Sequence, residues 1–141
     1  MPRDTVVVSI IDDRFPELTA KMRNEVAAIV RDAIQSLEER VEESMTWPKS
    51  GRLYPRPGGR IHQASAPGEP PAVDTGKLIK SIQSEMESET IGVVYSDDVE
   101  YAPYLEYGTV RVAPRPFMAP AAEYIRPQFL GELSKLERRL R

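Results

Sequence analysis

Few side chains in this chain could carry chemistry, and their types limit the reactions open to it. The 141 residues contain one histidine, His62, and no cysteine. Thiolate catalysis, disulfides and cysteine-based metal sites are therefore excluded. A zinc site would need carboxylates for nearly all its ligands, and a Ser-His-Asp triad would have to place its base in a segment rich in proline and glycine. We expect no catalytic residue, metal or cofactor, and we interpret His62 as a surface or interface residue.

One carboxylate stands in a sequence that can be catalytic. Asp74-Thr75-Gly76 is the active-site triplet of aspartic proteases, whose small homodimeric members pair one such aspartate from each chain to share a proton. In those enzymes the triplet follows an apolar strand and precedes a small residue, whereas here it follows two prolines and precedes Lys77. We expect instead that Asp74 or Thr75 caps a helix with the apolar stripe Leu78, Ile79 and Ile82. The protease remains the alternative from another functional class.

Three short elements follow one another along the chain. They are Asp74 to Ile82, Tyr101 to Thr109 and Arg115 to Ala121. In order and spacing they resemble an Asp/Ser-Thr-Gly-x-Leu-x-x-Ser-Ile element, a Tyr-Ala-x-x-Leu/Val-Glu-Tyr/Phe-Gly-Thr element and an Arg-Pro-Phe-x-x-Pro-Ala element. That combination is typical of the HK97 gp10-like family, the head–tail joining (neck or tail-completion) proteins of long-tailed bacteriophages. The resemblance runs from about Gly51 to Ala121 and does not include the start of the chain.

The resemblance implies a function without catalysis. It predicts a virion structural protein at the head–tail junction, assembled in the host cytoplasm, that completes or joins the tail as a ring-forming connector subunit. The implied partners are other copies of the chain, in a ring of about six or twelve copies, and the neighbouring neck, head-closure and tail-tube proteins. Non-specific contact with genomic DNA in the lumen is a further expectation. The alternative within this class is a tail terminator that caps the tail tube.

Composition indicates one small domain spanning residues 1–141. The chain is 40% hydrophobic and 29% charged, which is ordinary for a globular protein of a length that supports a single core. No apolar run reaches the length of a membrane helix, and the first residues lack a basic-then-apolar signal pattern. We therefore expect no membrane partner and a protein that acts inside the producing cell.

The net charge of −3 conceals blocks of opposite sign. Basic and acidic residues number 6 and 10 in residues 1–45, 6 and 2 in 46–80, 0 and 7 in 81–110, and 7 and 3 in 111–141. Patches of opposite charge on neighbouring copies would set the register of a ring built by contacts between unlike faces. The other interpretation is that these charges only keep the domain soluble.

The periodicity of apolar residues predicts an α+β fold. We expect a small, mainly antiparallel sheet packed by a long N-terminal helix over Pro16 to Met45 and a C-terminal helix kinked at Pro127. The strands are predicted at Thr5 to Ile11, ended by Asp12 and Asp13, and at Ser84 to Ser88 and Thr90 to Ser96, while Tyr101 to Tyr107 is predicted as a short helix ended by Gly108.

The segment from about 46 to 73 is predicted to be a protruding arm. It contains six prolines, four glycines and little apolar periodicity, and four basic residues against Glu69 alone. Aromatic and arginine side chains are favoured at protein interfaces, so we expect the arm to contact a neighbouring subunit. Stacking on single-stranded bases and a passive loop are the alternatives. The expected assembly residues, in the arm and beyond it, are Trp47, Arg52, Tyr54, Arg56, Arg60, His62, Tyr104, Tyr107, Arg115 and Phe117.

Overall fold

The computed structural model describes residues 7–11 and 20–140, which contain nine α-helices and β-strands and one 3-10 turn at Pro57–Gly59. They confirm the predicted α+β class. In chain order they are β1 (Val7–Ile11), α1 (Ala20–Thr46), β2 (Leu53–Arg56), β3 (Arg60–Gln63), α2 (Lys77–Ser81), β4 (Ile82–Met86), β5 (Ile91–Ser96), α3 (Ala102–Tyr107) and α4 (Ala119–Arg139).

The described residues form two separate antiparallel sheets. β5 is the central strand of the three-stranded sheet, with β1 on one side and β4 on the other, in registers that place Val7 opposite Tyr95 and Ile82 opposite Ser96. β2 and β3 pair only with each other, and Leu53 lies opposite Gln63. The three-stranded sheet therefore belongs to the core, and the second sheet is a hairpin of its own.

Helix α1 packs on the three-stranded sheet through residues at helical spacing. Its buried apolar side chains are Val26, Val30, Ala33, Ile34, Leu37, Val41 and Met45. A Cβ added at Gly92 of β5 would lie 2.6 Å from Cγ2 of Ile34, so the glycine allows helix and sheet to approach closely. The predicted long helix is thus confirmed over the described residues. Thr5, Val6, the strand end at Asp12 and Asp13, and the helix start between Pro16 and Thr19 lie outside them.

Helix α4 lies against α1 and completes the core. Its buried side chains include Ala121, Ile125, Leu133 and Leu136, and the helix continues through Pro127 to Arg139. The guanidinium of Arg40 on α1 lies over the ring of Tyr124, 3.7 Å from its centroid, and also over Trp47 at 4.6 Å. Within the described residues, no helix is long and apolar enough to cross a lipid bilayer.

The arm is not the irregular loop that its composition suggested. Residues 53–63 form a hairpin whose reversal at Pro57–Gly59 uses two glycines with positive φ, Gly58 at 81° and Gly59 at 75°. Proline in β2 is tolerated because a two-stranded sheet leaves one edge of each strand without a partner. The abundance of proline and glycine suggested an irregular loop, but these residues form the turn of the hairpin and part of one of its strands.

The helix predicted after Asp74 is shorter than expected. α2 ends at Ser81, and Ile82 adopts an extended backbone with φ −71° and ψ 126° as the first residue of β4. Ile82 stays buried, but as part of the sheet rather than of the helical stripe. The antiparallel pair predicted downstream is confirmed, with both strands placed slightly differently from the prediction.

Candidate functional site

A buried glutamate joins two of the three sequence elements. Glu106 on α3 is only 6% exposed, and its carboxylate faces the start of α4. The backbone N–H of Phe117 donates to Oε2 at 2.7 Å, that of Ala119 donates to Oε1 at 2.8 Å, and that of Met118 donates to both oxygens. The first N–H groups of a helix lack partners within it and attract negative charge. Glu106 therefore caps α4, although it belongs to α3 and lies 11 residues before Phe117.

The loop between α3 and α4 is held by its own hydrogen bonds. Gly108 has φ 73°, and its N–H donates to the carbonyl of Tyr104 at 2.9 Å. The Thr109 hydroxyl accepts hydrogen bonds from the N–H groups of Arg111 and Val112. The N–H of Arg115 donates to the carbonyl of Leu105 at 2.6 Å. The Tyr-Gly-Thr and Arg-Pro-Phe elements are thus one rigid unit, since each bond joins residues close to the Glu106 cap.

Asp74 binds the hairpin and does not cap α2. The guanidinium of Arg56 donates to both carboxylate oxygens, with Nη2 2.6 Å from Oδ2 and Nε 3.1 Å from Oδ1, and His62 Nδ1 lies 3.9 Å from Oδ1. The N-cap of α2 is Gly76, at φ 84°, and no side chain caps it. The expected Asp74 cap is therefore wrong. Thr75 does not cap α2 either, and its hydroxyl accepts only a weak hydrogen bond from the N–H of Lys77, at 3.3 Å.

The Arg56 pair favours the ionised form of Asp74. The hydrogen bond and the positive charge of the guanidinium hold the pKa of the Asp74 carboxyl below its usual range, and the pKa of Arg56 is raised in return. A bidentate arginine–carboxylate pair stabilises the ionised carboxylate. An aspartic protease dyad needs the reverse, a proton held between two carboxylates.

All three sequence elements line one open groove of about 470 Å³. Its wall combines side chains from the hairpin, the Asp74 turn, the start of α2, α3 and the loop before α4. The side chains with polar groups that line it are those of His62, Ser65, Asp74, Thr75, Lys77, Tyr101 and Arg115. Arg115 is occupied by internal bonds, since Nε donates to the carbonyl of Ser65 and Nη1 to that of Ala113. Residues distant in sequence thus converge where Arg56 of the hairpin binds Asp74, just before α2.

The hairpin has two chemically different faces. Strand alternation places Tyr54, Arg56, Arg60 and His62 on one side, which we call the inner face, because Arg56 and His62 lie against Asp74. Leu53, Pro55, Ile61 and Gln63 lie on the other side, which we call the outer face. Leu53 is 58% exposed and Ile61 71% exposed. The outer face therefore presents apolar side chains to solvent.

A second exposed set lies on α3. The buried residues Ala102 and Glu106 face the core, and Tyr104 and Tyr107 lie on the other side of the helix. Together with Tyr101, which directly precedes the helix, they form an exposed set that we call the tyrosine face. Tyr107 is 72% exposed, and Val110 and Val112 on the following loop are exposed as well. Exposed aromatic and apolar clusters of this kind are typical of protein-binding surfaces.

The predicted assembly residues divide into three groups. Arg52, Arg60, Tyr104 and Tyr107 are exposed, as the interface hypothesis requires. Trp47, Tyr54, Arg56, His62 and Arg115 are engaged at least partly in contacts within the chain. Phe117 is 1% exposed and belongs to the core, so its assignment to a surface was wrong. Its own N–H is one of the groups that donate to the Glu106 carboxylate.

Sequence reasoning missed the residues that define the site. Glu106 was recognised only as part of the second sequence element. Leu53 and Ile61 lie in the segment that was predicted to be an irregular arm. The alternation of Leu53 with Pro55, followed by Pro57-Gly58-Gly59, was the available signal for a hairpin with one apolar face. Across the described ranges, no group of His, Asp and Glu is suited to hold a metal ion.

Comparisons with protein-family models, with curated proteins and with solved structures find no match to this chain.

Proposed function

We propose that this chain is a structural protein of a long-tailed bacteriophage virion that acts at the head–tail junction as a ring-forming connector subunit. Its work is protein–protein contact in neck or tail completion. The proposal starts from the three sequence elements and rests most directly on one structural observation. The outer face of the hairpin and the tyrosine face of α3 are exposed and apolar, and both are fixed by hydrogen bonds to the rest of the chain.

Rigid exposed surfaces suit assembly better than they suit catalysis. Tyrosine side chains lose little conformational entropy on binding and are enriched at interfaces, so preformed contacts lower the cost of association. The Arg56 pair supports this choice over the protease, because it uses the Asp74 carboxylate as a structural anchor. In such a ring, the partners of each subunit are other copies of the chain and the flanking neck, head-closure and tail-tube proteins.

The test is removal of the gene from the phage or prophage that encodes it, with complementation by the wild-type chain from a plasmid. Electron microscopy of the lysate should show filled heads and separate tails of normal length, and the complementing chain should restore joined particles. Antibody labelling should place the chain at the head–tail junction of complemented particles. Joined, infectious particles in the absence of the gene would contradict the proposal. Tails of uncontrolled length would indicate a tail terminator instead.

A further inference from the structure

We infer that a second copy of this chain pairs strand β3 of its hairpin, in antiparallel orientation, with the outer edge of β4, so that adjacent ring subunits share one continuous sheet. The inference rests on the proposed ring function and deepens it by naming the two strands that meet. Strand edges with unpaired backbone groups are templates for pairing with another chain, and strand addition of this kind is a common mode of recognition.

β4 is an edge strand whose backbone groups alternate between its two sides. Within residues 7–11 and 20–140 it pairs with β5 alone. The N–H of Asp97 donates to the carbonyl of Ser81 at 2.9 Å, so these two residues form a hydrogen-bonded pair at the start of the ladder. Bonded and non-bonded pairs alternate in an antiparallel ladder, so Ser84 and Met86 direct their N–H and C=O groups away from β5.

β3 is the better of the two hairpin edges for pairing with a further strand. The N–H of Ala64 donates to the carbonyl of Arg52 at 2.9 Å, and the same alternation then directs the backbone groups of Ile61 and Gln63 away from β2. The edge of β2 is poorer, because Pro55 has no N–H to donate. The side chain of Ile61 is 71% exposed, so this edge is open to a partner.

The pattern of hydrogen bonds decides which side chains meet. Residues that exchange hydrogen bonds in an antiparallel pair lie directly opposite each other, with their side chains on the same face of the sheet. The outward-bonding residues of β3 must therefore lie opposite those of β4. The register that sets Ile61 opposite Met86 joins two apolar side chains on one face, and it sets Arg60 opposite Glu87 on the other. Parallel pairing would offset the two strands by one residue and turn Arg60 to the face of Met86.

On the first face, the pairing covers apolar surface. The hydroxyl of Ser84 donates to the carboxylate of Glu38 on α1, so this face of β4 is turned toward that helix. Met86 lies on the same face and is partly buried against the core. Ile61 of the second copy would join Met86 there and be removed from water, which favours association.

On the second face, the pairing brings opposite charges together. Arg60 and Glu87 are both exposed. Segment 49–63 carries four Lys and Arg residues and no acidic residue, whereas residues 81–110 carry seven acidic residues and no basic one. Pairing β4 with another β4 would place like charges side by side, and β1, at the other edge of the sheet, has no charged residue to attract the hairpin. Charge therefore matches the hairpin to the β4 edge.

The hairpin that pairs with β4 must come from another copy, and the contact is head-to-tail. In its own chain the hairpin is held at Asp74 by Arg56, and its strands pair only with each other. Contacts between different patches on identical subunits form closed rings when the rotation closes, and filaments when it does not. Each subunit therefore uses its hairpin toward one neighbour and its β4 edge toward the other.

Two substitutions at position 61 test the backbone pairing. Ile61→Pro removes an N–H directed away from β2, as Pro55 directly opposite already does, so the hairpin should stay paired. Ile61→Ala is the matched control, because it also removes the apolar side chain but keeps the N–H. We expect Ile61→Pro to self-associate about tenfold more weakly than Ile61→Ala in analytical ultracentrifugation. Circular dichroism checks the folding of each variant.

Charge reversal tests the identity of the two strands. Arg60→Glu and Glu87→Arg should each weaken self-association about tenfold, because each places like charges opposite each other. The chain that carries both substitutions should recover, because each new charge then meets its complement on the neighbouring copy. Arg126→Glu, at an exposed position of α4, is the control for the change in net charge and should associate like wild type.

The outcomes separate this inference from the proposed function. Equal association of the two position-61 variants would overturn the strand pairing, and a double charge-reversal chain that does not recover would overturn the match between β3 and β4. Both results would leave the ring function standing. Wild type that stays monomeric up to about 1 mM chain would overturn the inference, while the gene-removal experiment would still decide the function. Self-association that weakens in molar salt supports the charge argument, since exposed pairs are screened.

Discussion

At the scale of single residues, the main determinants are two carboxylates with structural roles. Glu106 accepts hydrogen bonds from three consecutive backbone N–H groups, and Asp74 binds one arginine of the hairpin. Both fix the position of a surface rather than react with a substrate. Neither role follows from the sequence, because Glu106 lies 11 residues from Phe117 and Asp74 lies 18 residues from Arg56. The sequence did not decide which tyrosines are exposed; in the structure Tyr104 and Tyr107 lie across a short helix from its buried side.

Replacing Glu106 should be one of the costliest single changes. Glu106→Ala leaves buried N–H groups without an acceptor, and we expect the free energy of unfolding to fall by about 2–4 kcal/mol. Glu106→Gln keeps one acceptor oxygen and should lose about half as much. Urea denaturation measures both, with Glu100→Ala as the exposed control expected within about 0.5 kcal/mol of wild type. A Glu106→Ala variant as stable as the control would show that the cap contributes little.

The Asp74–Arg56 pair should make hairpin anchoring depend on pH. Because the pKa of Asp74 is lower in the folded chain than in the unfolded one, its stabilising effect is present above about pH 4 and is lost as pH falls through the lowered value. Asp74→Asn should therefore speed amide exchange in β2 and β3 at neutral pH, and the difference from wild type should vanish in acid. Glu69 titrates in the same direction, since the Ser50 hydroxyl and backbone N–H groups bind it and lower its pKa. Because Glu69 is present in both chains, the difference in amide exchange between Asp74→Asn and wild type reports the contribution of Asp74.

Arg52→Gln provides the matched control for that experiment. It removes a charge from the same strand region without breaking the pair with Asp74, and should leave exchange in the hairpin nearly unchanged. Peptidase activity that is present in wild type and abolished in a folded Asp74→Asn chain would instead support the protease.

At the scale of elements, sequence predicted what periodicity governs and missed what depends on pairing. The apolar residues of α1 and α4 recur at helical spacing over several turns, so both helices and their buried sides could be predicted from the sequence. The hairpin strands contain four residues each, too few for an alternation interrupted by Pro55 to be recognised. The end of α2 was misplaced because Ile82 is apolar and buried in either structure. Its extended backbone is imposed by pairing with Ser96, a partner 14 residues later.

Gly92 tests how closely α1 approaches the sheet, and Gly131 on α4 is its control. Gly92→Ala would place a methyl group 2.6 Å from Cγ2 of Ile34, so either helix or strand must shift, and we expect a loss of about 1–3 kcal/mol in stability. Gly131→Ala on α4 meets nothing within 4 Å and should instead stabilise by about 0.5–1 kcal/mol through helix propensity. Thermal unfolding of the two variants should thus shift in opposite directions. A stabilising Gly92→Ala would contradict the packing described for α1.

At the scale of the whole molecule, a packed α+β core carries a hairpin that contributes little to that core. The three-stranded sheet, α1 and α4 hold most of the buried apolar side chains, α2, α3 and the loops beside them supply the rest, and no residue of β2 or β3 is buried. The charge blocks follow this division, with the hairpin basic and the β4–α3 region acidic. An element that adds little stability and exposes apolar residues is consistent with the proposed contact outside the chain.

Deleting the hairpin should therefore separate folding from assembly. A chain in which residues 52–63 are removed and Gly51 is joined to Ala64 loses only strands that pair with each other. Its urea unfolding should stay cooperative and remain within about 1–2 kcal/mol of wild type, the range of one lost exposed ion pair and a shortened loop. In complementation, however, it should fail to form rings, and free heads and tails should accumulate in the lysate. Leu130→Ala, at an exposed position of α4, provides the expression control. Loss of cooperative unfolding in the deletion chain would mean that the hairpin is part of the core, and joined infectious particles would mean that assembly does not use it.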